Sequence, residues 1–77
     1  MRRYNVTVDY QGRAVQHLRD GTTPLHAAQS ASRSVYSGLH VYPDGDGRDL
    51  YGEYDRFTAQ VPGSSTLWIR VYRPGMG

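Results

Sequence analysis

Three groups of residues in this 77-residue chain have types and spacings that chemistry could use. The first is Asp44-Gly45-Asp46-Gly47-Arg48-Asp49, where carboxylates alternate with glycines as in a calcium loop. An EF-hand loop starting at Asp44 needs an oxygen ligand where Arg48 stands and Gly where Asp49 stands. The run therefore reads as an acidic hairpin loop able to offer carboxylates to a basic partner. The second group is His17, His26 and His40. None lies at ligand spacing from another and the chain has no Cys, so no zinc site is expected. Ser30, Ser32, Ser34 and Ser37 are not set in a G-x-S-x-G turn, and the glycines lie in turns rather than between a strand and a helix, where they would cradle phosphate. No catalytic constellation forms, and a non-enzymatic protein without cofactor or metal is expected.

The third group is in the segment Thr66-Leu67-Trp68-Ile69-Arg70-Val71-Tyr72-Arg73. Successive side chains of a strand face opposite sides of the sheet. Leu67, Ile69 and Val71 thus make an aliphatic face, while Trp68, Arg70 and Tyr72 make an aromatic and basic one. If the second face is open it is a binding surface; if it is covered it is a second small core.

The elements that position these residues follow from periodicity. Tyr4 to Tyr10 alternates as a strand, with Tyr4, Val6, Val8 and Tyr10 on one side and Asn5, Thr7 and Asp9 on the other. Gln11-Gly12 predicts a two-residue hairpin turn, and Arg13 to Leu18 the returning strand. Thr23 as N-cap with Pro24 at the first helical position starts a helix, which the spacing of Leu25, Ala28, Ala31 and Val35 carries to about Ser37, with Gly38 as its stop. Leu39 to Tyr42 reads as a short strand closed by Pro43. Asp44 to Gly47 reads as a turn, Leu50 to Tyr54 as an edge strand or loop, and Arg56 to Val61 as a strand. Pro62 to Ser65 turns the chain into the last strand, and residues 74–77 form a frayed tail. The expected fold is a single two-layer α+β domain in ββαβββ order. One helix packs on one face of a four- to five-stranded, mostly antiparallel sheet.

On that fold the face opposite the helix collects Trp68, Arg70, Tyr72, Arg56, Tyr42 and His40. The neighbouring acidic segment adds Asp44, Asp46, Asp49 and Glu53. These ten are the expected partner-binding residues, since Trp, Tyr and Arg anchor interfaces. Bases of single-stranded nucleic acid could stack on the same aromatics. The alternatives are that residues 44–55 fold over the face, or that a second copy does.

Composition weighs among these readings. The net charge is +2, but residues 44–55 hold five carboxylates against Arg48, a local −4 that leaves +6 elsewhere. Such an acidic segment repels a nucleic-acid backbone. All nine basic residues are Arg, a planar group suited to carboxylate, phosphate and aromatic partners. No apolar run approaches the roughly 20 residues of a membrane span, and no signal-peptide h-region follows Arg2-Arg3. A cytoplasmic protein, monomeric or homodimeric, is expected.

The opening Met1-Arg2-Arg3-Tyr4-Asn5-Val6-Thr7-Val8, the Ala-rich segment Thr23-Pro24-Leu25-His26-Ala27-Ala28-Gln29-Ser30-Ala31 and the strand-rich second half resemble, in layout, small phage and mobile-element accessory proteins, notably anti-CRISPR inhibitors of type I systems. That resemblance implies a non-catalytic inhibitor acting in the host bacterial cell. It would bind a host protein or ribonucleoprotein effector complex stoichiometrically. Some members mimic DNA with an acidic surface. This chain, with its positive charge, would instead dock on a protein subunit.

Overall fold

The computed structural model describes residues 1–74. Five antiparallel strands and one helix follow in the expected order: β1 (Arg2–Tyr10), β2 (Arg13–Gly21), α1 (Pro24–Ser32), β3 (Tyr42–Asp49), β4 (Gly52–Gln60) and β5 (Thr66–Tyr72). They form one open sheet in the order β2-β1-β5-β4-β3. The last strand, β5, is thus its centre. Beyond Pro74, the expected frayed tail lies outside the described residues.

The inner face is built as the alternation requires. Tyr4, Val6 and Val8, then Phe57 and Ala59, then Leu67, Ile69 and Val71 are all buried. They meet Ala27, Ala28 and Ala31, which are wholly inaccessible. These small side chains let α1 lie close. Gly21 stands close under the start of α1, since a Cβ there would lie 3.0 Å from the Ala27 backbone nitrogen. The helix starts as expected: the Thr23 hydroxyl accepts from the His26 N–H at 3.2 Å, and Pro24 occupies the first turn. The β1–β2 turn is also as expected, with positive φ at both Gln11 (51°) and Gly12 (77°), the pair that a type I′ hairpin needs.

Three expectations fail locally. The α-helix ends at Ser32, not near Ser37. There the Ser32 and Ser34 hydroxyls donate to the Gln29 and Ala31 carbonyls, both at 2.7 Å, and the Ser34 and Val35 N–H groups bond three residues back. Serines compete in this way for backbone acceptors, and the last turn tightens. Leu39 and Val41 pack on the core but precede the ladder, which opens at Tyr42. Finally, Asp44 to Gly47 is strand, not turn. It lies at the sheet edge, where Pro43 and Gly45 are tolerated, and a register shift between Pro43 and Asp46 absorbs the irregularity, with Gly45 at φ 81°. The true turn is Leu50-Tyr51. Leu50 there is 99% exposed, so hydrophobicity gave no hint of it.

Candidate functional site

The register fixes which side chains share the outer face. One row across the sheet reads Asp9, Trp68, Thr58 and Tyr42. The next reads Thr7, Arg70 and Arg56. A third holds Tyr54 between Tyr72 and Gly47. The ten expected contact residues do not all gather there. Asp46 pairs with Asp55, and Glu53 with Arg48, on the helix side of the sheet. These carboxylates surround Arg73, whose guanidinium reaches Glu53 at 3.1 Å, Asp55 at 3.0 Å and Asp46 at 3.3 Å. Arg48 also binds Glu53. Arg48, then Arg73, holds the Glu53 carboxyl below its ordinary range, and the Asp55 carboxylate raises the pKa of Arg73. Asp46 and Glu53 therefore belong to an intramolecular ion cluster at the surface, on the opposite side of the sheet from Trp68.

The outer face divides into a covered and an open half. In the covered half the hairpin tip folds back as a clasp. Asp49 accepts from the Arg70 guanidinium at 2.7 Å and from the Tyr72 hydroxyl at 2.5 Å through one oxygen, and from the Tyr51 N–H at 2.8 Å through the other. The Tyr72 hydrogen bond is the main cause that lowers the Asp49 pKa, helped by Tyr51 and Arg70. Burial, then the Asp49 bond, pushes the Tyr72 phenol up to about 12. Tyr51 and Tyr54 pack edge-on to Tyr72 at 6.2 and 5.6 Å between centroids, and Arg70 lies 5.8 Å from the Tyr54 ring centre. On its other side Arg70 reaches Asp9 at 3.4 Å. Tyr72 is only 7% exposed. Tyr72 and Arg70, expected as partner anchors, are thus occupied by the chain's own residues. Only the tip of the 44–55 segment, Asp49 and Tyr51, reaches over this half; the rest of it lies within the sheet as β3 and β4.

The open half keeps Trp68, 44% exposed, with Tyr42, 59% exposed. Tyr42 stacks with His40 at 6.3 Å between ring centroids and 26° between planes. Arg56 borders them, bonded to the Asp44 carbonyl at 3.0 Å and 3.6 Å from its carboxylate. Trp68 and Tyr72, placed on one face by the alternation, form no continuous aromatic platform. Arg70 and its carboxylates separate the two, and Thr58 stands between Trp68 and Tyr42 in the register.

Two hollows adjoin the sheet. Pairing of β1 with β5 stops at Val6–Val71, and the fork beyond opens a cleft of about 540 Å³ lined by Asn5, Thr7, Gln16, Tyr51, Tyr72 and Arg73 among others. A second hollow, of about 360 Å³, lies between β2 and the segment after α1. There His17 Nε2 is 3.5 Å from the Ser34 hydroxyl. The pair lacks the parts of a nucleophilic dyad: Ser34 spends its proton on Ala31, and the other imidazole nitrogen faces Arg19 at 3.3 Å where a catalytic His has a carboxylate. Burial and Arg19 both lower the His17 pKa. Among the described residues no His and carboxylate cluster is built to hold a metal, and no helix is long and apolar enough to cross a membrane.

Sequence reasoning missed Tyr51, Tyr54 and Arg73 as builders of the site. Tyr54 carried a signal, because it shares the even-numbered phase of Arg56 and Thr58. The clasp through Asp49 had none, because it depends on where the β3–β4 hairpin turns. Compared with protein families, with curated protein sequences and with solved structures, the chain matches none of them.

Proposed function

We propose that the chain is a non-catalytic protein-binding module that docks through the open half of its outer face. One observation carries this reading. Trp68 stands 44% exposed on the central strand, while Leu67 and Ile69 on either side of it are fully buried. An aromatic side chain on so rigid a base offers large contact area at small entropic cost, the property of an interface anchor. Tyr42, stacked on His40, extends the patch, and the Arg56–Asp44 pair supplies a polar rim. The nucleic-acid alternative loses support because Arg70 and Arg56 are both held by carboxylates, leaving little free positive charge beside Trp68.

The finer reading is a stoichiometric inhibitor of a host defence effector complex, and it rests on the layout resemblance to anti-CRISPR inhibitors. Its test is phage plating on a type I CRISPR-immune host expressing this protein. Restored plaques that vanish with Trp68→Ala plus Tyr42→Ala support both levels of the reading. Unchanged immunity in the presence of folded protein removes the inhibitor. Affinity capture with wild type against the double variant tests docking itself. A partner retained equally by the double variant would move the surface elsewhere.

A further inference from the structure

Among the described residues, the four guanidiniums without a carboxylate are not spread over the molecule. Among the described residues all seven carboxylates are engaged, by Arg3, Arg48, Arg56, Arg70 and Arg73. Arg2, Arg13, Arg19 and Arg33 have none. Arg13 and Arg19 lie on β2, on the helix side with Val15 and His17 between them, as the pairing with Tyr10, Val8, Val6 and Tyr4 requires. Arg2 sits at the start of neighbouring β1 and Arg33 caps the end of α1.

Strand β2 is also a free edge. All nine of its residues pair with β1 in unbroken register, and among the described residues no other backbone bond reaches it. Its alternate residues therefore turn N–H and C=O groups outward. The opposite edge, β3, has protective devices: Pro43 without an N–H, a register shift and Gly45. Strand β2 has no Pro and no bulge. Its protection is charge: Arg13 and Arg19 on the helix side are positive, and the single carboxylate of the strand, Asp20, lies on the other side and is paired with Arg3.

We propose that the β2 edge accepts an extended acidic peptide as a sixth strand. Backbone bonds would give affinity, and alternate side chains selectivity. On the helix side the added strand would set carboxylates opposite Arg13 and Arg19, six positions or about 20 Å apart. Between them two apolar side chains would face Val15 and His17, over the hollow of about 360 Å³ that Val8, Tyr10 and Val35 also line. A second copy is a poor occupant. Pairing two β2 strands about Gln16 sets Arg13 directly opposite Arg19, and pairing about His17 faces the two imidazoles while bringing four guanidiniums onto one seam. Like charges across a ladder are destabilising. Nucleic acid would use the charge but none of the outward backbone groups. The surface is separate from the Trp68 patch and does not depend on it.

The test uses the peptide Thr-Glu-Thr-Val-Thr-Val-Thr-Glu-Thr, capped at both ends, titrated into the full chain with amide NMR shifts and calorimetry as readouts. Binding with shifts confined to β2 and its neighbours is expected. The double variant Arg13→Glu plus Arg19→Glu should lose affinity by about tenfold or more, the scale of two surface pairs reversed in sign. The same peptide with Lys for Glu should then bind that variant better than wild type. Arg13→Ala plus Arg19→Ala provides the comparison if charge reversal disturbs the fold. The inference is overturned by no binding to wild type, by equal binding of a peptide N-methylated at alternate residues, by tighter binding of single-stranded oligonucleotide at the same edge, or by a dimer in sedimentation that buries β2.

Discussion

Gly47 is the position where a single methyl group tests the covered half of the outer face. A Cβ placed there would stand 2.6 Å from the Tyr54 hydroxyl oxygen, 2.8 Å from Cζ and 3.2 Å from Cε1. Carbon contacts settle near 3.5–4.0 Å, so in Gly47→Ala the ring must withdraw by about 1 Å. Its other neighbours are Tyr72, edge-on at 5.6 Å, and the Arg70 guanidinium at 5.8 Å. Losing that aromatic pair costs about 0.5–1.5 kcal/mol, and losing the cation–π contact about 0.5 kcal/mol. Against this, replacing Gly by Ala in a strand gains about 0.5–1 kcal/mol from reduced freedom of the unfolded chain. Crowding strain adds about 1 kcal/mol to the cost. The net expectation is destabilisation by about 1–2 kcal/mol. With a urea m-value of about 1 kcal/mol/M for a domain this small, the midpoint should fall by about 1–2 M. In a Tyr54→Ala background the obstacle is gone, and Gly47→Ala should raise the midpoint by about 0.5 M. Unfolding followed by far-ultraviolet circular dichroism measures both. Equal shifts in the two backgrounds would refute the reasoning, because backbone conformation rather than the ring would then set the cost.

Other expectations are as direct. The Tyr72 phenol is raised to about 12 from an ordinary 10.0, so folding favours its protonated form. The stabilisation is full below pH 10 and lost as pH rises through 12, and Tyr72→Phe should flatten that alkaline limb in pH-dependent melting. Asp49 is lowered below its ordinary 3.8, so its contribution is present above that value and lost as pH falls further; Asp49→Asn should remove that part of the acid limb. Ile69→Ala, at a wholly inaccessible central position, should cost about 2–5 kcal/mol in denaturant unfolding, whereas the outward Trp68→Ala should cost less than about 1.5 kcal/mol and lose partner binding instead. Gly12→Ala at φ 77° meets no neighbour, so its cost is conformational alone, about 1 kcal/mol of melting stability.

Periodicity made the core legible. Tyr4, Val6 and Val8, with Phe57 and Ala59 and with Leu67, Ile69 and Val71, were separable from their outward neighbours because an alternation of two is unambiguous over five or more residues. Thr23-Pro24 and Gln11-Gly12 were legible because their chemistry is local. Residues 39–52 were not. Pro43, Gly45 and Gly47 are turn formers by propensity, yet an edge position with a register shift admits them all. Leu50, the kind of residue that defines cores, ended at a hairpin tip. Shifting that turn from Asp44–Gly47 to Leu50-Tyr51 is what carries Asp49 onto Arg70 and Tyr72. The position of this one turn thus divides a face that alternation alone leaves undivided.

The distribution of ion pairs separates the two proposed surfaces more sharply than their positions do. Residues from β3 onward consume their charges internally: Arg56 on Asp44, Arg70 on Asp9 and Asp49, Arg73 on three carboxylates. The Trp68 patch therefore has a nearly neutral surround, and docking there depends on apolar contact, which added salt does not weaken. The β2 edge keeps Arg13, exposed, and Arg19, half-buried, without a carboxylate partner, so binding there is screened over a Debye length of about 10 Å at 0.1 M salt. A partner captured through Trp68 should stay bound when ionic strength rises, while an acidic strand on β2 should be released. Because the two surfaces lie on different strands and share no ion pair, their binding energies should add, and a single partner that spans both would show each behaviour in turn along one salt titration.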